Sequence, residues 1–276
     1  MKCIICNSDS SYYFSKTYSE SPFDVFMQEI GKVSYYKCDN CGFVLSKTHR
    51  ELANSKWNDL NNLFHHHIEN PNNEKKGNQP PYAEQAMMLS ILGKNAIISI
   101  DSIVDYAAGY GTLSNILSKY FSIVLPIFDP YVNREGEEYS DRCIIDISHQ
   151  SYGTVINSAM FEHVLTREDL DHVNSLVGDN GCLIIHTVIC ERVPNDPNWF
   201  YLRPPVHTAF HTNKSMQLLM DQWGYYSSIY CPQSKCWVLF KNKIRNIDKL
   251  LNSVNQELQT DWFLYKEGFL DYWKGF

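Results

Sequence analysis

The chain has 276 residues, 44% of them hydrophobic, enough for one large domain or a small one beside a mid-sized one. Lys and Arg number 24 against 31 Asp and Glu, a formal charge of −7. That balance lacks the basic footprint of a nucleic-acid binder and favours a small or neutral substrate. No apolar run approaches the ~18–20 residues that span a bilayer, and the opening Met1–Cys6 turns polar at Asn7 without a signal-peptide core. A cytoplasmic protein with no membrane role is therefore expected.

Nine cysteines, odd in number and unevenly spaced, do not fit a secreted disulfide framework. Four fall in two knuckles, Cys3-Ile4-Ile5-Cys6 and Cys38-Asp39-Asn40-Cys41-Gly42. Each pair can turn two thiolates onto one ion, and four thiolates complete the tetrahedron that Zn²⁺ prefers. Such a closed Cys₄ site is structural, so Cys3, Cys6, Cys38 and Cys41 are the expected zinc ligands of a small module over residues 1–50. Strand-like Tyr12–Phe14 and Val33–Lys37 would bring the knuckles together. Cys143, Cys182, Cys190, Cys231 and Cys236 read as small buried hydrophobes.

Residues 51–81 read as a helical linker: a helix from Glu51 to Phe64, then His65-His66-His67, then a polar Asn/Gly/Pro run. Consecutive histidines point in different directions and are not expected to converge on an ion. From Tyr82 to about residue 242 helices alternate with apolar strands, the pattern of a doubly wound α/β domain with a mostly parallel sheet. A helix over Tyr82–Leu92 precedes a buried strand over Ser102–Ala107, a small-residue turn through Ala108–Thr112, and a helix over Leu113–Phe121. Strand, small-residue turn and helix make a nucleotide site at the carboxyl ends of the strands. Further strands are expected at Ile123–Asp129, Cys143–Ile147, Val155–Ser158 and Gly181–Thr187.

The turn reads A-x-G-x-G with an acid two residues before its first small position, and it resembles motif I of the class I S-adenosylmethionine-dependent methyltransferases. Ala107 stands where that family usually has its first glycine. The likeness continues in chain order through Asp129, Asp146 and the segment Glu162-His163-Val164. It implies a Rossmann-like fold and S-adenosyl-L-methionine as cofactor. The residues it implies around the cofactor are Tyr82, Asp105, Ala107, Gly109, Gly111, Asp129, Pro130, Asp146, Ile147 and Ser158.

On the acceptor side, Pro204–Thr212 followed by a helix over Asn213–Trp223 and Gly224-Tyr225 resembles a stretch of bacterial methyltransferases of sugar and surface-glycan pathways. The resemblance implies O-methylation of a sugar hydroxyl, on a nucleotide sugar or a capsular glycan, with a histidine as general base. His207, His163 and His186 are the candidates, His211 lying beside the first; Glu162 with His163 leaves a divalent ion open as an alternative. The aromatic insertion Val193–Arg203 suits a sugar ring or packs on itself. Residues 243–276 read as a helical, aromatic-rich tail docking on its own domain or in a homodimer. Two other readings stay open: an RNA methyltransferase that uses the zinc module for recognition, and a non-catalytic interaction protein on the same scaffold.

Overall fold

The computed structural model describes residues 1–68, 79–130, 147 and 151–271. The N-terminal stretch forms β1 (Ser10–Lys16), α1 (Asp24–Ile30), β2 (Val33–Cys38), β3 (Val44–Ser46), α2 (Lys47–Arg50) and α3 (Asn54–Ile68). Then come α4 (Tyr82–Lys94), β4 (Ile103–Tyr106), α5 (Thr112–Phe121), β5 (Ile127–Phe128), β6 (Tyr152–Ser158), α6 (Arg167–Ser175), β7 (Val177–His186) and β8 (Ile189–Cys190). The remaining elements are β9 (Ala209–Thr212), α7 (Asn213–Trp223), β10 (Ser227–Cys231), β11 (Cys236–Phe240), α8 (Ile247–Leu258) and β12 (Leu264–Glu267).

Seven strands make the larger sheet, in the order β12-β10-β11-β7-β6-β4-β5. β5, β4, β6 and β7 pair in parallel, whereas β11 is antiparallel to both β7 and β10, and β12 to β10. β10 therefore points with the parallel set, and only β11 and β12 run against it. Successive side chains enter opposite faces, so these apolar strands feed two cores. Val155, Leu183, Ile185, Trp237 and Leu239 meet Leu170 and Val173 of α6 and Met216, Leu219 and Met220 of α7. Ile156, Ile184, Val238 and Phe240 meet Leu89 of α4, Leu113 and Leu117 of α5, and Leu251 and Val254 of α8.

Local signals fix the helix ends. Thr166 with Asp169, and Thr212 with Ser215, close reciprocal capping boxes at α6 and α7, and Gly224 ends α7 in the left-handed region at φ 75°. From β4 the chain steps to β5 on one side and later re-enters at β6 on the other. The carboxyl ends of β4 and β6 thus flank a reversal of strand order, the place where open α/β sheets form a crevice.

A second sheet crosses the expected boundary at residue 50. The smaller sheet runs β1-β2-β3-β9-β8, so three N-terminal strands continue into two strands from far along the chain. Val44 pairs with Phe210 and Leu45 with Ala209. β3 would otherwise expose an unpaired edge, and β9 covers it. The aromatic core below it mixes both segments: Phe14, Tyr35, Trp57 and Leu60 with Trp199, Leu202 and Phe210. The knuckles also dock on the larger sheet's helices. Arg167 and Gln222 donate to the Ile5 carbonyl at 3.3 and 3.0 Å, Thr212 Oγ1 donates to the Cys41 carbonyl at 2.6 Å, and Lys214 Nζ to that of Asn40 at 2.8 Å.

Other expectations shift too. α3 continues through His65–His67 instead of ending at Phe64, which makes those histidines helical. The C-terminal tail is helical only through Leu258; β12 then adds an edge strand to β10, and Phe263 and Phe269 bury themselves in their own chain. The expected strand Cys143–Ile147 lies outside the described residues except for Ile147, which is buried. Tyr272, Trp273 and Phe276 also lie outside them. Among the described residues no helix is long and apolar enough to cross a membrane.

Phe210 is 1% exposed, with Tyr35, Trp199 and Tyr201 around its ring at centroid distances of 5.7, 5.3 and 6.0 Å. Phe210→Ala is expected to lower the unfolding free energy by roughly 3–5 kcal/mol, because the cavity opens where both segments meet. Urea unfolding monitored by circular dichroism reads this, and a loss under about 1 kcal/mol would place Phe210 outside the load shared by the two segments.

Candidate functional site

The turn after β4 lies at the strand reversal. Asp105, at the end of β4, is 2% exposed and its Oδ1 has no hydrogen-bond partner. Burial, then the neighbouring Asp129, pushes its carboxyl well above the usual carboxylate range. The backbone then takes left-handed conformations at Ala107 (φ 62°), Gly109 (φ 55°) and Gly111 (φ 75°) before α5 begins at Thr112. An alanine in that region carries a cost of about 1 kcal/mol that glycine would not. At Gly111 a Cβ would also stand 2.7 Å from Ile127 Cδ1, so a side chain there would have to displace the Ile127 tip as well as adopt a strained φ.

Neighbouring strand ends hold this turn. Ala107 and Ala108 donate their N–H groups to the Phe128 carbonyl at 2.7 and 3.1 Å, and Gly109 N–H donates to Asp129 Oδ2 at 2.7 Å. On the other side, Asn157 Nδ2 donates to the Tyr106 carbonyl at 3.1 Å while its Oδ1, also buried, has no partner. Ser158 Oγ donates to Gln85 Oε1 at 3.1 Å, one turn along α4 from Tyr82. Asp105, Ala107, Gly109, Gly111, Asp129 and Ser158 thus share one end of the sheet. Pro130 follows there and is exposed; Asp146 lies outside the described residues. Two buried acceptor oxygens left unmet are costly, and a ligand with N–H or O–H donors would satisfy them.

Beyond β6 the chain turns through Ala159, again left-handed at φ 63°, into a short 3₁₀ helix over Phe161–His163. Tyr201 then holds two side chains at once. Its hydroxyl donates to Glu162 Oε1 at 2.7 Å, and its carbonyl meets His207 Nδ1 at 2.7 Å. A carbonyl can only accept, so Nδ1 carries the hydrogen and His207 Nε2 is left as the basic nitrogen. The ring centroids of His163 and His207 are 5.2 Å apart, and those of His163 and His65 are 6.4 Å apart. Glu162, His163 and His207 each offer an atom within 4.8 Å of the others'.

Burial sets the protonation of this cluster. It raises Glu162 to about 7 and lowers His207 to about 4. His163 falls well below its ordinary value through burial, then His207 and His65 beside it. His211, bonded through Nε2 to the Phe161 carbonyl at 3.2 Å, is lowered to about 4 by burial. His186 does not join them: its Nδ1 meets the Lys235 carbonyl at 3.0 Å, at the turn between β10 and β11. Within the insertion, Trp199 and Leu202 are buried in the aromatic core, while Phe200 and Arg203 stay exposed.

The four knuckle cysteines form the other cluster, their sulfurs within 4.8 Å of one another. Cys3 and Cys41 sulfurs are 3.7 Å apart and Cys6 and Cys38 sulfurs 3.4 Å apart. Around a tetrahedral ion with Zn–S bonds of about 2.3 Å, sulfurs lie about 3.8 Å apart, so the donor set fits zinc. The two knuckles repeat one geometry. Asn7 N–H bonds to the Cys3 carbonyl at 3.0 Å and Gly42 N–H to that of Cys38 at 3.1 Å, with both residues left-handed at φ 58° and 75°.

No family profile matches this chain, and no curated protein matches it. Solved structures do resemble it. The plantazolicin methyltransferase BpumL in complex with SAH is 12% identical, with a TM-score of 0.46 over 76% of this chain and 95% of that one. Magnesium protoporphyrin IX methyltransferase (ChlM) from Synechocystis PCC 6803, with bound SAH, is 14% identical, with a TM-score of 0.36 over 58% of this chain and 82% of that one. Coclaurine N-methyltransferase bound to N-methylheliamine and SAH is 17% identical, with a TM-score of 0.37 over 53% of this chain and 48% of that one. Likenesses of this size carry neither a substrate nor a residue role to this chain.

Sequence reasoning passed over Tyr201, Gln85, Asn157 and His65. The first three give no local signal, since their neighbours come from distant segments; His65 was set aside because it belongs to a consecutive triplet. The burial of the histidines has a readable consequence. His207 and His211 are expected to stay neutral down to about pH 4. Their folded values lie below the unfolded 6.5, so each contributes stability above pH 6.5 that is lost as pH falls toward 4, at most about 1.4 kcal/mol per pH unit. Glu162, raised to about 7, acts in the opposite sense between its unfolded value and 7. Histidine-ring ¹⁵N spectra at pH 5.5 should show both imidazoles neutral, and midpoints near 6.5 would contradict the burial.

Proposed function

We propose that this chain is an S-adenosylmethionine-dependent methyltransferase of the class I, Rossmann-like type, braced by a structural zinc on Cys3, Cys6, Cys38 and Cys41. The observation that carries the reading is the strand reversal, where Asp105 Oδ1 and Asn157 Oδ1 are buried without partners beside a left-handed, small-residue turn. Asp105, Asp129, Ser158 and the backbone around Gly109 and Gly111 would hold the cofactor, with Tyr82, Ala107, Pro130, Ile147 and Asp146 around it. When bound, the cofactor supplies a methyl group on a sulfonium. Displacement at such a centre depends mainly on alignment, so the protein's task is to hold an acceptor atom in line and to manage its proton.

The acceptor side falls to Glu162, His163 and His207. A hydroxyl is the acceptor that such a cluster suits, because it must lose a proton and a neutral imidazole can take one. Burial keeps His163 and His207 neutral and also weakens them as bases; in the metal-free protein His207 Nε2 is the nitrogen left to take the proton. Exposed Phe200 and Arg203 on the insertion loop offer a stacking face and a hydroxyl partner, which supports a sugar. The knuckles bond through their own carbonyls to α6 and α7, which favours a brace over a nucleic-acid reader.

Asp105→Asn tests the cofactor site. Burial already favours the uncharged carboxyl in the free protein, so the near-isosteric amide is expected to leave the fold intact. Titration calorimetry with S-adenosylhomocysteine should show binding to the wild type and an affinity at least about tenfold lower in the variant, about 1.4 kcal/mol. Equal affinities with unchanged melting temperatures would remove Asp105 from the cofactor site, and no binding to the wild type would remove the proposal.

A further inference from the structure

We propose that Glu162, His163 and His207 form a second metal site, separate from the cysteine cluster, that takes a divalent first-row transition ion such as Zn²⁺, Mn²⁺ or Fe²⁺. Three observations carry it. First, the three side chains bring one ligand atom each within 4.8 Å of the others', and two imidazoles with one carboxylate are a donor set such ions favour. Ligands on a tetrahedral ion with bonds of about 2.0–2.1 Å lie about 3.4 Å apart, so a small closure of side chains completes the site.

Second, in Glu162 and His207 the polar atom not needed by the ion is already held. His207 gives its Nδ1 hydrogen to the Tyr201 carbonyl at 2.7 Å, which leaves Nε2 as the ligand nitrogen. Glu162 Oε1 accepts from the Tyr201 hydroxyl at 2.7 Å, and the Tyr201 hydroxyl oxygen in turn accepts the Val188 N–H at 3.2 Å. Supporting bonds of this kind orient metal-binding histidines and carboxylates and fix the tautomer. Here a single residue orients two ligands, one through its backbone and the other through its ring.

Third, Glu162 is 2% exposed, yet its Oε2 has no hydrogen-bond partner and no cation pairs with it among the described salt bridges. A divalent ion would satisfy that oxygen. His65 of α3 lies beside His163, with ring centroids 6.4 Å apart, outside the three-residue group itself. The remaining positions on the ion are open to an oxygen ligand. Use of that opening to bind an acceptor hydroxyl and ease its deprotonation rests on the methyl-transfer reading; binding of the ion does not. With the ion in place, His163 and His207 serve as ligands and a proton leaves from the bound oxygen to solvent.

Zinc content and zinc affinity test the site on the full chain. Protein saturated with Zn²⁺ and desalted should carry one zinc more per chain in the wild type than in Glu162→Gln, whatever the cysteine cluster holds. Tyr201→Phe should keep the ion but bind it roughly tenfold to a hundredfold more weakly in a Zn²⁺ titration, a change that a merely structural tyrosine would not produce. Melting temperatures and S-adenosylhomocysteine calorimetry on the same samples separate loss of fold and loss of the cofactor site from loss of the ion. Equal zinc content in wild type and Glu162→Gln, with both folded, would overturn the proposal. So would a Zn²⁺ affinity untouched by either substitution.

Discussion

One backbone residue ties the molecule together. Thr208 donates its N–H to the Glu162 carbonyl at 2.8 Å and accepts from Ser46 N–H at 2.8 Å, while its hydroxyl donates to the Val164 carbonyl at 2.9 Å. The loop after β6, the strand entering β9 and the N-terminal sheet are thereby fixed to one point. His207 precedes this bridge, and its carbonyl accepts from the Tyr35 hydroxyl at 3.3 Å. The N-terminal strands consequently do more than carry the cysteine cluster: through Tyr35 they bond directly to the histidine cluster. Backbone hydrogen bonds of this kind are worth little singly, but a buried amide left unpaired is expensive, which makes the joint hard to dissolve piecemeal.

The same end of the larger sheet carries several of the features that a stable, inert fold would avoid, though such features also occur elsewhere among the described residues. Ala107 and Ala159 sit in left-handed conformations after adjacent strands. Asp105, Asn157 and Glu162 each keep a buried oxygen without a partner. Strain and unmet polar groups collect where the surrounding structure can hold them and where ligands relieve them. The opposite faces, by contrast, are filled by interleaved aliphatic side chains, and the helices begin in full capping boxes.

Much of this was legible in the sequence because its signals are local. The knuckle spacing, the strand-turn-helix over residues 102–121 and the capped helix over Asn213–Trp223 each announce themselves within a few residues. The pairing of Val44 with Phe210 has no such signature. Neither segment says which distant edge it will cover, so residues 1–50 read as a separate module. Tyr201 looked like one more aromatic in a packed loop; its two bonds emerge only once Glu162 and His207 are brought to it. Phe263 and Phe269 followed the rule that aromatic side chains leave water, yet the tail's conversion into β12 depended on a free edge at β10. His65 comes beside His163 because α3 runs one turn further than its pattern suggested.

A crystal structure grown with S-adenosylhomocysteine and zinc is the most direct measurement of the central claim, that one end of the sheet holds the cofactor and presents an acceptor to it. Ligand density should lie against Asp105, Gly109 and Asp129, with the sulfur turned toward Glu162, His163 and His207. Density on another face of the molecule, or a sulfur turned away from those three side chains, would contradict it.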